Sequence, residues 1–224
     1  AEGHELASHS YSHPYDLTRR GTGQIQDEVS RSREVLSELR GTPVTGFRAP
    51  GYTMNKALWA ALEHAGYRYD SSIFPCPPYY LAKAAVLASM RLRGKESESI
   101  LDHPSVMWAK TAPHRRGQMS EFPVTVLPWL RAPFIGTSLL MMGERGYGLV
   151  RPWLARAPFV NLEFHGIDMC DLEVDGIDRA LLKQPDLRVP LRTKERLFRR
   201  VIGDLKAEWG VWTLEALEAE GLAQ

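Results

Sequence analysis

An alternation of helical and strand periods over the first third of the chain restricts the fold most. Residues 24–40 put Ile25, Val29, Leu36 and Leu39 on one helical side, with Gly41 placed to end that helix. Val44 to Phe47 is a short strand. Asn55 caps a second helix running to about His64, Gly66 ends it, and Tyr67 to Asp70 is a further strand. This rhythm predicts an α/β fold with parallel strands. Hydrophobic residues make up 44% of the 224 and charged residues 25%, which supplies a core and excludes disordered or collagen-like chains.

Past residue 80 the pattern is less regular. A helix is expected over 81–93, a loop over 103–118 and a strand from Glu121 to Leu127. Residues 128–158 show no single period. Val160 to His165 reads as a strand, Thr193 caps a helix to about Trp209, Val211 to Thr213 is a last strand and Leu214 to Glu220 a last helix. With no repeat and no linker, residues 1–224 read as one domain. The segment at about 76–156 is long for a connection, so it is expected to be elaborated barrel elements with one piece lining the site.

Charge and cysteine content narrow the function classes. Lys plus Arg is 28 and Asp plus Glu is 27, so no global field favours nucleic acid. No apolar run approaches the roughly 20 residues of a membrane span. Cys76 and Cys170 make neither a disulfide framework nor a Cys-rich zinc site. The opening Ala1-Glu2-Gly3-His4-Glu5 reads like the middle of a domain, so upstream residues are expected. Compartment (cell envelope or cytoplasm) and oligomeric state are open.

Four short motifs carry the chemistry. His9 and His13 lie four residues apart in His9-Ser10-Tyr11-Ser12-His13. Two imidazoles at that spacing can face one point on a helical turn and bind one divalent metal, or they can be plain surface histidines. Phe47-Arg48-Ala49-Pro50-Gly51-Tyr52 follows a strand and precedes a capped helix, and its tight turn can aim backbone N–H groups at an oxyanion. Tyr69-Asp70-Ser71-Ser72-Ile73-Phe74-Pro75 also follows a strand; Asp70 orients a catalytic histidine or caps a helix. Leu162-Glu163-Phe164-His165 ends in a histidine that stands at the same rim or fills the core.

In this order the four resemble the polysaccharide deacetylases, the NodB-homology or carbohydrate esterase family 4 enzymes. The resemblance implies a distorted (β/α) barrel, lacking its first strand in this chain. It implies that His9 and His13 hold a divalent metal, zinc or similar, and that Arg48 braces a catalytic base. It further implies oxyanion donors at Gly51 and Tyr52, tuning by Asp70 of a general acid, His165, and a substrate-shaping aromatic near Ile73 and Phe74. The family's first strand ends in an Asp-Asp pair, a base and a third metal ligand; nothing before His4 matches it. Asp16 reads as a structural or capping residue instead.

The reaction expected is hydrolysis of an N-acyl group, here acetyl, from an amino sugar in a polysaccharide or glycolipid. The alternatives are a related amidohydrolase or deformylase on a non-polymeric or lipid-linked substrate, and a non-catalytic glycan-binding domain that lacks the metal Asp.

Overall fold

The computed structural model describes residues 3–172, 174–179, 181 and 184–221; Ala1 and Glu2 of the opening segment lie outside them. The chain divides into two compact units, residues 1–124 with 212–224, and residues 125–211.

The first unit is built on short parallel strands. β1 (Gly46–Phe47), β2 (Tyr69–Asp70), β3 (His114–Arg116) and β4 (Met119–Glu121) form a sheet of order β1-β2-β4-β3. β1 pairs with β2 and β2 with β4, both parallel; β3 and β4 pair antiparallel. Ser8 extends the sheet beyond β1 by one parallel bridge, its N–H donating to the Gly46 carbonyl and its carbonyl accepting from Arg48 N–H. Gly46 is required by its register partner, because a Cβ there would stand 1.9 Å from the Tyr69 hydroxyl.

The helices of this unit follow the apolar spacing. α1 (Thr22–Arg40) buries Ile25 and Val29, and α2 (Lys56–Ala65) buries Leu58, Trp59 and Leu62. The Asn55 side chain caps α2 by accepting the Leu58 N–H at 2.8 Å, and left-handed Gly41 and Gly66 end the two helices. Each fully buried Leu or Val contributes roughly 1.5–3 kcal/mol to this core. α3 (Pro77–Leu92) starts earlier than expected, because Pro77 and Pro78 suit the first helical turn. The expected loop at 103–118 contains β3, which turns through Gly117 into β4.

The second unit is helical. α4 (Gly136–Leu154) and α5 (Leu191–Glu208) bury Leu139, Leu140, Tyr147, Leu197, Phe198 and Val201 in one cluster. α4 falls where no period was legible: Gly143 breaks the helical dihedrals and Pro152 sits inside it. Residues 160–165 and 211–213 are not strands. α5 starts at Leu191 rather than after Thr193. α6 (Leu214–Ala219), which belongs to the first unit, is capped by Thr213 accepting the Ala216 N–H at 3.1 Å.

The fold is mixed α/β with a mainly parallel sheet. Among the described residues this sheet is open, with edges at β3 and Ser8; the expected barrel does not close here. No helix among them is long and apolar enough to cross a membrane.

Candidate active site

Parallel pairing sets the site. Ser8, Phe47, Asp70 and Glu121 end four neighbouring extended segments, so His9, Arg48, Ser71 and Phe122 emerge side by side at the carboxyl ends of the strands. That rim is where open α/β sheets place their ligands.

His9 and His13 meet on it. Their Nε2 atoms lie 3.2 Å apart, and their exposed rings cross edge-on at 4.8 Å between centroids. The pair is formed by an irregular loop and not by the helical turn first expected. Ser10 and His13 both adopt left-handed dihedrals, φ 65° and 55°. Such backbone costs on the order of 1–3 kcal/mol per residue and needs outside support. Glu28 of α1 supplies it: its carboxylate accepts the N–H groups of Tyr11 and Ser12, each at 3.0 Å, and the Ser12 hydroxyl. Burial alone would raise the Glu28 pKa, but the bonds from Ser12 and Tyr11 outweigh it and hold the group below its ordinary value. Ser32 donates to the Ser10 carbonyl at 3.1 Å and lies 2.7 Å from the Ser8 hydroxyl.

The His9 ring is oriented by the second motif. Its Nδ1 lies 2.6 Å from the Arg48 carbonyl, which can only accept, so Nδ1 carries the hydrogen and Nε2 keeps its lone pair in the neutral ring. Two nitrogens at about 2.0–2.1 Å from a tetrahedral zinc stand roughly 3.3 Å apart. The observed separation fits that distance. Among the described residues no group of three His, Cys, Asp or Glu side chains could hold a metal ion, so the donor set fits as a pair. Asp16 is not a third donor; it pairs with Arg20 at 3.0 Å.

Arg48 is not solvent-exposed. It is half-buried, and its guanidinium donates to Ser71 twice, from Nε to the carbonyl at 2.8 Å and from Nη2 to the hydroxyl at 2.6 Å. In the Pro50–Tyr52 turn, Gly51 and Tyr52 both have positive φ, 64° and 60°. The Tyr52 N–H closes that turn onto the Ala49 carbonyl at 3.2 Å. Beside the Gly51 turn, Lys83 of α3 donates to the Gly51 carbonyl at 3.3 Å.

Asp70 is fully buried. Its carboxylate accepts the Ser72 hydroxyl at 2.6 Å and the Ser72 N–H at 3.1 Å. Phe74, expected to shape the substrate site, instead has no exposure and packs on Tyr52 and Tyr79, so it belongs to the core beneath the loop and offers no surface to a substrate. The apolar neighbours of Phe74 could not be read from its own motif.

His165 belongs to the second unit and follows no strand. It is the residue before a short 3₁₀ turn, Gly166–Met169; its N–H donates to the buried Asp168 at 2.8 Å and its exposed ring reaches Glu163 at 3.6 Å. The core alternative for His165 is thereby excluded. Sequence reasoning missed Glu28, for which no local signal exists, and Glu121, a lone acid opening an apolar run.

Comparison with known proteins falls on the same loops. Residues 1–69 match the family model described as polysaccharide deacetylase. Over this segment, under a third of its length, the chain is similar to the polysaccharide deacetylases. The match contains His9, His13, Arg48, Gly51 and Tyr52, while Asp70, Phe74 and His165 lie beyond it. The chain is 32% identical over 83 residues to the peptidoglycan deacetylase of Helicobacter pylori, covering 35% of this chain and 27% of the relative. A peptidoglycan deacetylase-like protein of Gibberella zeae is 35% identical over 71 residues, 32% of this chain and 21% of its own length. The chain thus spans about a quarter of the curated relatives it matches. A family 4 carbohydrate esterase from Streptomyces lividans, solved in complex with acetate, is 28% identical over 30% of this chain and 34% of its own, with a TM-score of 0.28.

Proposed function

We propose that this protein is a hydrolase that removes an acyl group, acetyl in the first instance, from the amide nitrogen of an amino sugar in a polysaccharide, peptidoglycan-like glycan or glycolipid. The observation that carries the reading is the His9–His13 pair, with facing nitrogens at 3.2 Å and one ring set by the Arg48 carbonyl. In this reading the two imidazoles hold zinc or a similar divalent cation, which when bound polarises the acyl carbonyl and activates water. Glu28 keeps the loop in its strained form. Arg48 orders Ser71 and the rim around it. Gly51 and Tyr52 shape the turn facing the acyl oxygen. His165 is the candidate proton donor to the departing amine, and Asp70 a candidate charged group beneath the rim of the first unit. The sheet is an arc of the family's distorted barrel.

A second reading has one observation in its favour. Among the described residues the pair has no third protein ligand, as in a glycan-binding domain without turnover. One assay separates the two. Acetate release from N-acetylglucosamine oligomers and peptidoglycan is measured before and after chelation and after zinc is restored. The enzyme reading expects release that chelation abolishes and zinc recovers. Retention of glycan with no release under any metal supports the binder, and release of formate in place of acetate supports a deformylase.

A further inference from the structure

Beneath the rim lies an acid that none of the four motifs contains. Glu121 on β4 is the register partner of Asp70 on β2, and both side chains are without exposure. Two adjacent carboxyl groups in a dry interior cannot both ionise.

The hydrogen bonds divide the roles. Asp70 accepts from the Ser72 hydroxyl and N–H, one on each oxygen, and the Arg48 guanidinium acts on it. Glu121 accepts one N–H, from Ile73 at 3.1 Å, on Oε1. Its Oε2 is buried and no donor reaches it. An orphaned oxygen there costs about 1–3 kcal/mol, and a hydrogen on it, given to Asp70, removes that cost. Donors around Asp70 favour its anion; the acceptor beside Glu121 favours the acid. Burial raises both groups. For Glu121 the negative charge of Asp70 adds to it, whereas hydrogen bonds and Arg48 oppose it at Asp70.

We propose that Glu121 is a protonated positioning residue, donating from Oε2 to Asp70 and so holding that carboxylate as an oriented anion under the rim. The pairing rests on the strand register, the burial of both residues and the orphaned Oε2; its effect on turnover rests on the proposed role of Asp70. Other described groups also act on the pair. From β3, His114 is the antiparallel partner of Glu121 with its ring tied to the Ala112 carbonyl at 3.0 Å, and Arg116 attracts the Glu121 anion; from the end of β1 comes Arg48.

Infrared spectra of the full chain carrying carboxyl-labelled glutamate test this. At neutral pH the wild type should show one protonated glutamate carbonyl, and Glu121→Gln should lack it. Because the Glu121 value is raised on folding, it contributes stability that is present at low pH and lost as pH rises through the folded value; Glu121→Gln should not show that loss. Glu121→Ala should lower kcat about 10–100-fold with little change in KM, and Glu121→Gln should restore most of it. A wild-type spectrum without a protonated glutamate at neutral pH overturns the proposal, whether or not any variant folds. So does Glu121→Gln turning over no better than Glu121→Ala. If the chain releases no acetate at all but the band is present, the deacetylase reading fails and the pairing stands.

Discussion

The His9–His13 loop and the turn at His165 both present exposed imidazoles, yet they are built differently. The first is held from three sides: Glu28 gathers Tyr11 and Ser12, Ser32 holds the Ser10 carbonyl, and the Arg48 carbonyl fixes the His9 ring. The second has its backbone N–H capped by Asp168, while its ring has a 3.6 Å contact to Glu163. In the proposed roles a metal pair must be ordered before its ligand arrives, and strained backbone with outside hydrogen-bond partners achieves that. A proton donor needs less, since it acts at one atom and exchanges its proton with water. The contrast places the preorganisation of this protein in the first loop.

His13→Ala should break the comparison at its stiffest point. It removes half of the facing pair, so acetate release should fall further than the about 10–100-fold typical of losing a group that only backs a ligand. The exposed ring leaves folding intact, which circular dichroism will check. Zinc titration should show the same loss. Undiminished zinc affinity would remove His13 from the metal site.

His165→Ala comes next. Turnover should drop by on the order of 10²–10⁴, with a thermal midpoint close to wild type because the side chain is 58% exposed. Zinc binding should not move. A variant that keeps full turnover would leave the second unit's histidine without a role in the chemistry.

How much of this was legible depended on whether the signal was local. Asn55 and Gly66 bracket α2 as spacing and cap chemistry predict, and α1 buries Ile25 and Val29 of the expected side with Leu36 partly buried, whereas Leu39, in its last turn, is exposed. His9 and His13 were legible as a pair, but their irregular backbone was not, since it depends on Glu28, on a helix whose surface-facing acid looks like any other. The strand expected at 160–165 failed because an apolar run shows only a tendency to be buried; here Val160 and Leu162 pack against the α4–α5 cluster while Phe164 and His165 are exposed, and the run joins no strand. α4 was hidden by its own glycines and Pro152, which packing overrode. Phe74 looked like a rim aromatic because a motif displays sequence neighbours, while its actual neighbours are Tyr52 and Tyr79.

Arg48→Lys sharpens the comparison within the first unit. The guanidinium spans the Ser71 carbonyl and hydroxyl together, and an ammonium cannot reach both with the same geometry. Losing one such bond costs about 1–3 kcal/mol, so kcat/KM should fall about tenfold to a hundredfold while the Arg48 carbonyl still orients His9. The proton shifts of the His9 ring should stay as in the wild type. Full activity would reduce Arg48 to a packing residue.

The smallest effect is expected at Glu28, and its sign is the useful part. Glu28 is held below its ordinary value on folding, burial being outweighed by the bonds from Ser12 and Tyr11. A lowered folded value contributes stability that is present above the unfolded value, about 4.3 for glutamate, and is lost as pH falls through the folded one. Glu28→Gln keeps one acceptor oxygen and loses the charge. Its stability deficit, read from urea midpoints, should therefore be widest near neutral pH and should shrink below about pH 4. Because the loop is exposed and the carboxylate partly solvated, the deficit should be modest. A gap that widened on acidification would mean that the loop is held by the protonated acid, and the tight anchoring that sets His9–His13 apart from His165 would have to come from Ser32 and the Arg48 carbonyl alone.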